Sequence, residues 1–222
     1  MTTMLTSMAR AGDEVAVVGL GLVGNLAAQV LQVAGMNVHA IDLSGPRRER
    51  ARRCGIRTVY GPEAADELAR RHRLVIEASG SARGLVAAVR LAADGGEIVM
   101  VGAPWVGQEG HRGGQAGPGS QGSQGSQGSP NSVPSSALMG EIFLRFLTLR
   151  SGSEWRIPVL PAAWAVGSIQ QNTVTALDWL GSGRLCVEPL ITHRLPAAQA
   201  PQAYEGLRMK PDEYLGVVLT WR

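Results

Sequence analysis

The tightest constraint on this chain is a run near its amino terminus, Val15-Ala16-Val17-Val18-Gly19-Leu20-Gly21-Leu22-Val23-Gly24. Val15 to Val18 is unbroken, apolar and rich in β-branched residues, which predicts a short strand buried on both faces. Gly19, Gly21 and Gly24 supply G-x-G-x-x-G. Small and apolar residues follow at helical spacing as far as Leu31, and Gly35 caps them. Asn37 to Asp42 then reads as a second short strand that ends in an acid.

Each glycine has a physical job in such a turn. Gly19 permits the tight passage from strand to helix. Gly21 leaves the backbone bare, so that a pyrophosphate can approach. Gly24 lets the helix lie close on the strand. The free N–H groups at the helix start, with the positive end of its dipole, face the phosphates. Asp42, ending the second strand, is placed to accept the hydroxyls of an adenosine ribose. A glycine-rich turn without a ligand is the bland alternative. The flanking strand, the helix and the acid at the expected distance weigh against it.

The rest of the first half keeps the same rhythm. Pro46 to Cys54 reads as a helix closed by Gly55, Arg57 to Tyr60 as a strand, and Pro62 to Arg71 as a helix with acids early and arginines late. Leu74 to Ala78 is a strand, Ala82 to Ala92 a helix, Asp94 to Gly96 a turn, and Glu97 to Val101 a strand. Strands alternating with helices predict an α/β fold: a doubly wound, mostly parallel sheet with helices on both faces.

The rhythm breaks at Gly107. From 107 to 136 the chain is Gly, Ser, Gln and Pro with almost no apolar residues, and Gln-Gly-Ser repeats within it. Such a segment buries too little surface to offset its ordering entropy, so a lengthened flexible loop is expected. The organisation is therefore 1–106, the first part of a dinucleotide-binding domain; 107–136, the loop; and 137–222, the remainder with closing strands. In that remainder, Phe143 to Arg150 contains a sixth strand. Ser168 to Leu180 is a helix, and Cys186 to His193 an edge strand that tolerates Pro189. Pro196 to Met209 is an amphipathic helix, and Gly216 to Thr220 a closing strand.

Composition narrows the classes. No apolar run is long enough to span a membrane, and Met1 to Arg10 lacks the core of a secretory signal. Two cysteines, Cys54 and Cys186, stand far apart in sequence, which argues against a disulfide framework and for a reducing cytoplasm. The formal net charge is +3. The basic run Arg47 to Arg53 follows the second strand, where a solvated helix face is expected rather than a nucleic-acid patch.

Four stretches together resemble the cofactor domain of the zinc-type, medium-chain alcohol dehydrogenases: Val15 to Asp42, Leu74 to Gly80, Gly95 to Gly102, and the tail from Ile191 to Trp221. The resemblance implies a Rossmann fold and hydride transfer between a nicotinamide and an alcohol or carbonyl. It implies that Gly19, Gly21, Leu22, Val23 and Gly24 hold the pyrophosphate, that Asp42 holds the adenosine ribose with Arg47 beside it, and that Ala78, Ser79, Gly102 and Ala103 line the crevice.

The departures matter equally. The family's separate N-terminal domain carries its zinc ligands and proton relay, and this chain begins at about the last helix before the first cofactor strand. Zinc is therefore not expected here. His39, His72, His111 and His193 are scattered over different elements and read as ordinary residues, and no catalytic residue is assigned. Gly216 stands where many members carry a basic residue that reaches the phosphates. Val217, Val218, Leu219 and Trp221 would lack their family partner, so self-association or a separate catalytic-domain chain is expected. Family dimers join through the sixth strand, here Phe146 to Arg150.

Asp42 repels a 2′-phosphate and favours NAD over NADP, although Ser44, Arg47 and Arg48 could hold a phosphate were Asp42 to turn away. Three readings follow: the cofactor half of a dehydrogenase, a non-catalytic dinucleotide-binding module, and a remnant that binds nothing. The glycine motif and Asp42 argue against the third. The substrate is not legible, because the resemblance implies that its contacts come mostly from the family's N-terminal domain.

Overall fold

The computed structural model describes residues 1–101, 135–152 and 156–221. Gly102, Ala103 and nearly all of the 107–136 loop lie outside the described residues.

A short helix α1 (Thr2–Thr6) precedes β1 (Glu14–Val18), α2 (Leu22–Val33), β2 (Asn37–Ile41), α3 (Gly45–Arg53) and β3 (Thr58–Tyr60). Then come β4 (His72–Glu77), α4 (Ala82–Leu91), β5 (Ala92–Met100), α5 (Ser135–Leu144) and β6 (Thr148–Ser151). The chain ends with α6 (Ile169–Gly181), β7 (Ile191–Pro196), α7 (Ala200–Met209) and β8 (Gly216–Thr220). Six strands form one sheet in the order β3-β2-β1-β4-β5-β6, and every pairing in it is parallel. This is the doubly wound α/β arrangement that the alternation predicts, with the order reversing at β1 and β4.

The apolar run of β1 works as its composition requires. Val15 and Val17 point into one core with Ala28 and Leu31 of α2 and Ala51 of α3. Ala16 and Val18 point into the other, with Ala88, Val89 and Leu91 of α4. Val15, Ala16 and Val17 are wholly buried. Such a strand loses roughly 1.5–3 kcal/mol of transfer free energy for each large side chain it fails to cover, so both helical layers are needed.

Five elements depart from the sequence expectation, the first being β5, which begins at Ala92 and runs through the turn expected at Asp94–Gly96. Between Pro62 and Arg71 only Pro62–Ala65 is helical, and it is a 3-10 turn. Arg70 adopts φ 57°, and the amides of Arg70 and Arg71 donate to the carbonyls of Arg90 and Leu91 at 2.9 and 3.1 Å, so the end of α4 captures the chain before a helix can extend. Phe143 to Arg150 does contain a sixth strand, but it is confined to the end of that stretch: α5 runs to Leu144, Phe146 at φ 55° turns the chain, and β6 begins at Thr148. Pro189, lacking an N–H, sits in a 3-10 turn over Glu188–Leu190, and the strand begins only at Ile191. The helix expected from Pro196 begins at Ala200, after a further 3-10 turn.

The closing strands do not join the large sheet. β7 and β8 pair in parallel as a separate two-stranded sheet. Gly216 is required there: a Cβ on it would lie 2.5 Å from the Leu190 carbonyl oxygen. Its packing role explains why no basic residue occupies that place. Val217, Val218 and Leu219 are half-buried and Trp221 is exposed.

Candidate dinucleotide site and its relatives

The glycine turn lies at the carboxyl end of β1, beside the point where the strand order reverses. Gly19 has φ 92°, which only glycine adopts without strain, and its amide donates to the Ile41 carbonyl at 2.8 Å. A Cβ on Gly19 would lie 2.7 Å from the Ser79 amide nitrogen. Gly24 is more confined still, with a Cβ position 1.8 Å from the Gly19 oxygen and 3.1 Å from the Ala78 side chain. Gly21 is the opposite case. It caps α2, and nothing lies within 4 Å of its Cβ position. Two glycines thus let turn, helix and neighbouring strand close up, and the third faces open space.

Leu22, Val23 and Gly24 open α2, where backbone amides have no carbonyl one turn earlier to bond. Leu22 and Val23 are 40% and 56% exposed at the mouth. An apolar cleft of about 570 Å³ runs from Val23 along α2 and is bounded by α1 and α6.

Asp42 points into the turn. Its Oδ2 accepts from the Leu20 amide at 2.6 Å and its Oδ1 from the Ser44 amide at 2.7 Å. The residue is only 7% exposed. Each carboxylate oxygen keeps a second lone pair for a further donor. The Arg47 guanidinium approaches to 4.0 Å but also donates to the Pro211 carbonyl at 3.2 Å. Arg50 donates to the Asp212 carbonyl at 2.9 Å, and Ser44 Oγ to the Asp212 carboxylate at 2.6 Å. The basic run of α3 therefore does more than meet solvent: part of it clasps the loop before β8.

Ala78 and Ser79 follow β4 and complete the wall. The Ala78 amide donates to the Val18 carbonyl at 2.8 Å. Ser79 gives both its amide and its hydroxyl to Glu77 Oε1, and Glu77, fully buried, lies under the first turn of α4 at Gly84. Gly19, Gly24, Ala78 and Ser79 are thus packed together, with Gly21, Leu22, Val23 and Asp42 on the same rim. Gly102 and Ala103, also expected in the crevice, lie outside the described residues.

Sequence reasoning missed two groupings. Buried Gln29 on α2 donates to Asn25 Oδ1 at 2.8 Å and to the Cys186 carbonyl at 2.9 Å, and accepts from the Cys186 amide at 2.7 Å. It pins the segment before β7 to the cofactor helix. Cys54 and Cys186, distant in sequence, share a small cluster with Leu190 and Leu215, and burial beside Cys186 pushes the Cys54 thiol up to about 12.

The second grouping is Glu14, His39 and His72, on three adjacent strands at the other end of the sheet. One ligand atom from each lies within 4.8 Å of the others. His39 Nδ1 is 2.8 Å from His72 Nε2, and His72 Nδ1 is 3.0 Å from the Leu91 carbonyl. Burial lowers the pKa of both rings. The histidines are indeed on different elements, yet the fold joins two of them. The signal available was topological: with β2 and β4 on either side of β1, residues early in those strands meet across it.

Residues 23–115 match the family model described as zinc-binding dehydrogenase. Over these residues the chain is similar to that family. It is 27% identical over 208 residues to 2-desacetyl-2-hydroxyethyl bacteriochlorophyllide A dehydrogenase of Rhodobacter capsulatus, covering 93% of this chain and 51% of that protein. The chain thus spans about half the length of the curated relative it matches. Among solved structures, the alcohol dehydrogenase TADH from Thermus sp. ATN1 superposes with a TM-score of 0.65 at 27% identity, over 100% of this chain and 56% of the other. An alcohol dehydrogenase of E. coli CFT073 complexed with NADH superposes at 0.66 and 20% identity, over 99% and 56%. The zinc-type dehydrogenase resemblance and the α/β fold stand on these matches together. Among the described residues no helix is long and apolar enough to cross a membrane.

Proposed function

We propose that this chain supplies the cofactor-binding half of a zinc-type dehydrogenase, holding a nicotinamide dinucleotide for hydride transfer to or from an alcohol or carbonyl. The observation that carries the reading is the contrast within the glycine turn: Gly19 and Gly24 are closed by backbone, whereas Gly21 opens on free space in front of the α2 amides. That cradle fits a pyrophosphate, which a helix N-terminus attracts.

In this reading the amides of Leu22, Val23 and Gly24 face the phosphates. Asp42, already fixed by two backbone donors, accepts the adenosine ribose hydroxyls and favours NAD over NADP. Arg47 flanks that ribose, and Ala78, Ser79, Gly102 and Ala103 line the crevice. When bound, the nicotinamide gives or takes the hydride. The groups that polarise the substrate and move its proton come from a catalytic domain, supplied by a partner chain or by a further part of the same protein. Self-association through β6, with exposed Phe146 in the turn before it, is part of the proposal, as is action in the cytoplasm.

One observation favours the alternative, a non-catalytic dinucleotide-binding module. The one cluster of metal-ligating side chains found among the described residues, Glu14, His39 and His72, lies toward the amino ends of the strands, away from the crevice. Titrating NADH into the purified chain, followed by nicotinamide fluorescence, tests the common core of both readings. Saturable enhancement is expected, and none at millimolar cofactor would leave a remnant that binds nothing. Activity on an alcohol panel, with and without a catalytic-domain chain, then separates enzyme from module.

A further inference from the structure

We infer that Glu14, His39 and His72 form a divalent transition-metal site of the zinc class, clamping β1, β2 and β4 at the amino end of the sheet. The donor set, two imidazoles and a carboxylate, suits Zn²⁺ and its neighbours in the first transition row. The three ligand atoms already lie within 4.8 Å of one another. Tetrahedral zinc, with bonds of about 2.0–2.2 Å, places its donors about 3.3 Å apart. The histidine pair at 2.8 Å must therefore open slightly, and the carboxylate must swing inward.

The proton positions support a cation between the rings. The Leu91 carbonyl can only accept, so His72 Nδ1 carries the hydrogen of their 3.0 Å contact. His72 Nε2 is then a bare lone pair aimed at His39. A backbone acceptor behind a ligating histidine is the usual second support of a metal site, fixing both tautomer and ring orientation. In the metal-free chain the proton on His39 Nδ1 fills the gap. On binding, that proton leaves Nδ1, the other ring nitrogen carries the hydrogen, and the cation takes the vacated place.

Glu14 is the movable ligand. Its carboxylate pairs with Arg71 at 3.2 Å, and the two side chains are 38% and 46% exposed. An ion pair this open is worth little, so exchanging Arg71 for a dication is feasible. His72, wholly buried, is the fixed ligand. His39 packs edge-on against both His72 and Tyr60, which limits its motion to the small opening required. The site lies across the sheet from the glycine turn and does not rest on the dinucleotide reading.

The test uses the full, tag-free chain stripped with a chelator. Zn²⁺ is titrated in competition with a chromophoric chelator, and Co²⁺ is followed by its visible absorption. The expected result is one metal per chain, with a tetrahedral Co²⁺ spectrum that lacks thiolate-to-metal charge transfer. His39→Asn keeps a donor toward His72, preserving the hydrogen bond while removing the ligand, and should weaken Zn²⁺ about tenfold or more. Glu14→Gln should weaken it less. Zn²⁺ should raise the melting temperature of the parent chain but not that of His39→Asn. No uptake, uptake indifferent to His39→Asn, or a thiolate band that points to Cys54 and Cys186 would each overturn the site.

Discussion

At the carboxyl ends of β1, β2 and β4 the polar groups are mainly backbone: the amides of α2, the bare carbon of Gly21, and one carboxylate held by the amides of Leu20 and Ser44. At the amino ends of the same strands they are side chains, with His39 and His72 in contact and Glu14 shared with Arg71. A glycine turn needs only that side chains be missing, so its use is written into residue spacing. An imidazole pair depends on which strands become neighbours, so it appears only once the sheet is assembled. The teaching is general: sites made of backbone are legible in sequence order, and sites made of side chains across a sheet are legible in strand order.

Substitutions at the glycine end should separate folding from binding. The largest effect is expected from Gly24→Val. Its Cβ has no room beside the Gly19 oxygen, so stability should fall by about 3 kcal/mol or more in urea unfolding, with NADH binding lost as well. Gly21→Val is the contrasting case. Its Cβ enters open space, so the melting temperature should hold while NADH weakens about a hundredfold, near 2.7 kcal/mol. If Gly21→Val unfolds the chain, or leaves NADH unaffected, the division of labour among the glycines is wrong.

A smaller, more selective effect is expected at Asp42. Asp42→Ala strips the partner from the Leu20 amide and should cost about 1–3 kcal/mol of stability. The fold enters both cofactor affinities equally, so the informative quantity is their ratio. NAD should weaken about tenfold or more relative to NADP by fluorescence titration, and equal losses would refute a ribose role.

The mildest probe sits away from both ends, at Cys54. Its thiol is raised from the ordinary 9.0 to about 12, so the unfolded chain loses that proton first as pH rises. Cys54 therefore contributes stability below pH 9 that is lost between about 9 and 12. Iodoacetamide at pH 8, read by mass spectrometry, should label Cys54 in the native chain far more slowly than after denaturation. Rapid native labelling would show that the cluster with Leu190 and Leu215 opens readily.

The same distinction explains what could be read in advance. β1, β2, β4 and α2 follow from apolar runs and glycine punctuation, and the parallel pairing of the sheet follows from their alternation with helices. Pro62 to Arg71 looked helical because charge placement carries no information about the carbonyls of Arg90 and Leu91 that capture its end. Phe143 to Arg150 contains the expected strand, but its late start at Thr148 is hidden because a left-handed turn at Phe146 leaves no mark in a phenylalanine. The separation of β7 and β8 from the large sheet was equally hidden, as was the Gln29 bridge to Cys186, since both are long-range pairings. At the glycine turn, by contrast, the roles assigned to Gly19, Gly21 and Gly24 follow from whether a methyl group could be accommodated at each.

Asp42 is tethered at both oxygens, and under the proposed ribose role that restraint limits how the chain could change its taste in cofactors. Swinging the side chain aside would strand the Leu20 amide in a buried place, so under that role selectivity would not be adjusted by motion. Switching to a phosphorylated ribose would demand a new residue at position 42 together with a fresh acceptor for that amide: a heritable change, made in two steps.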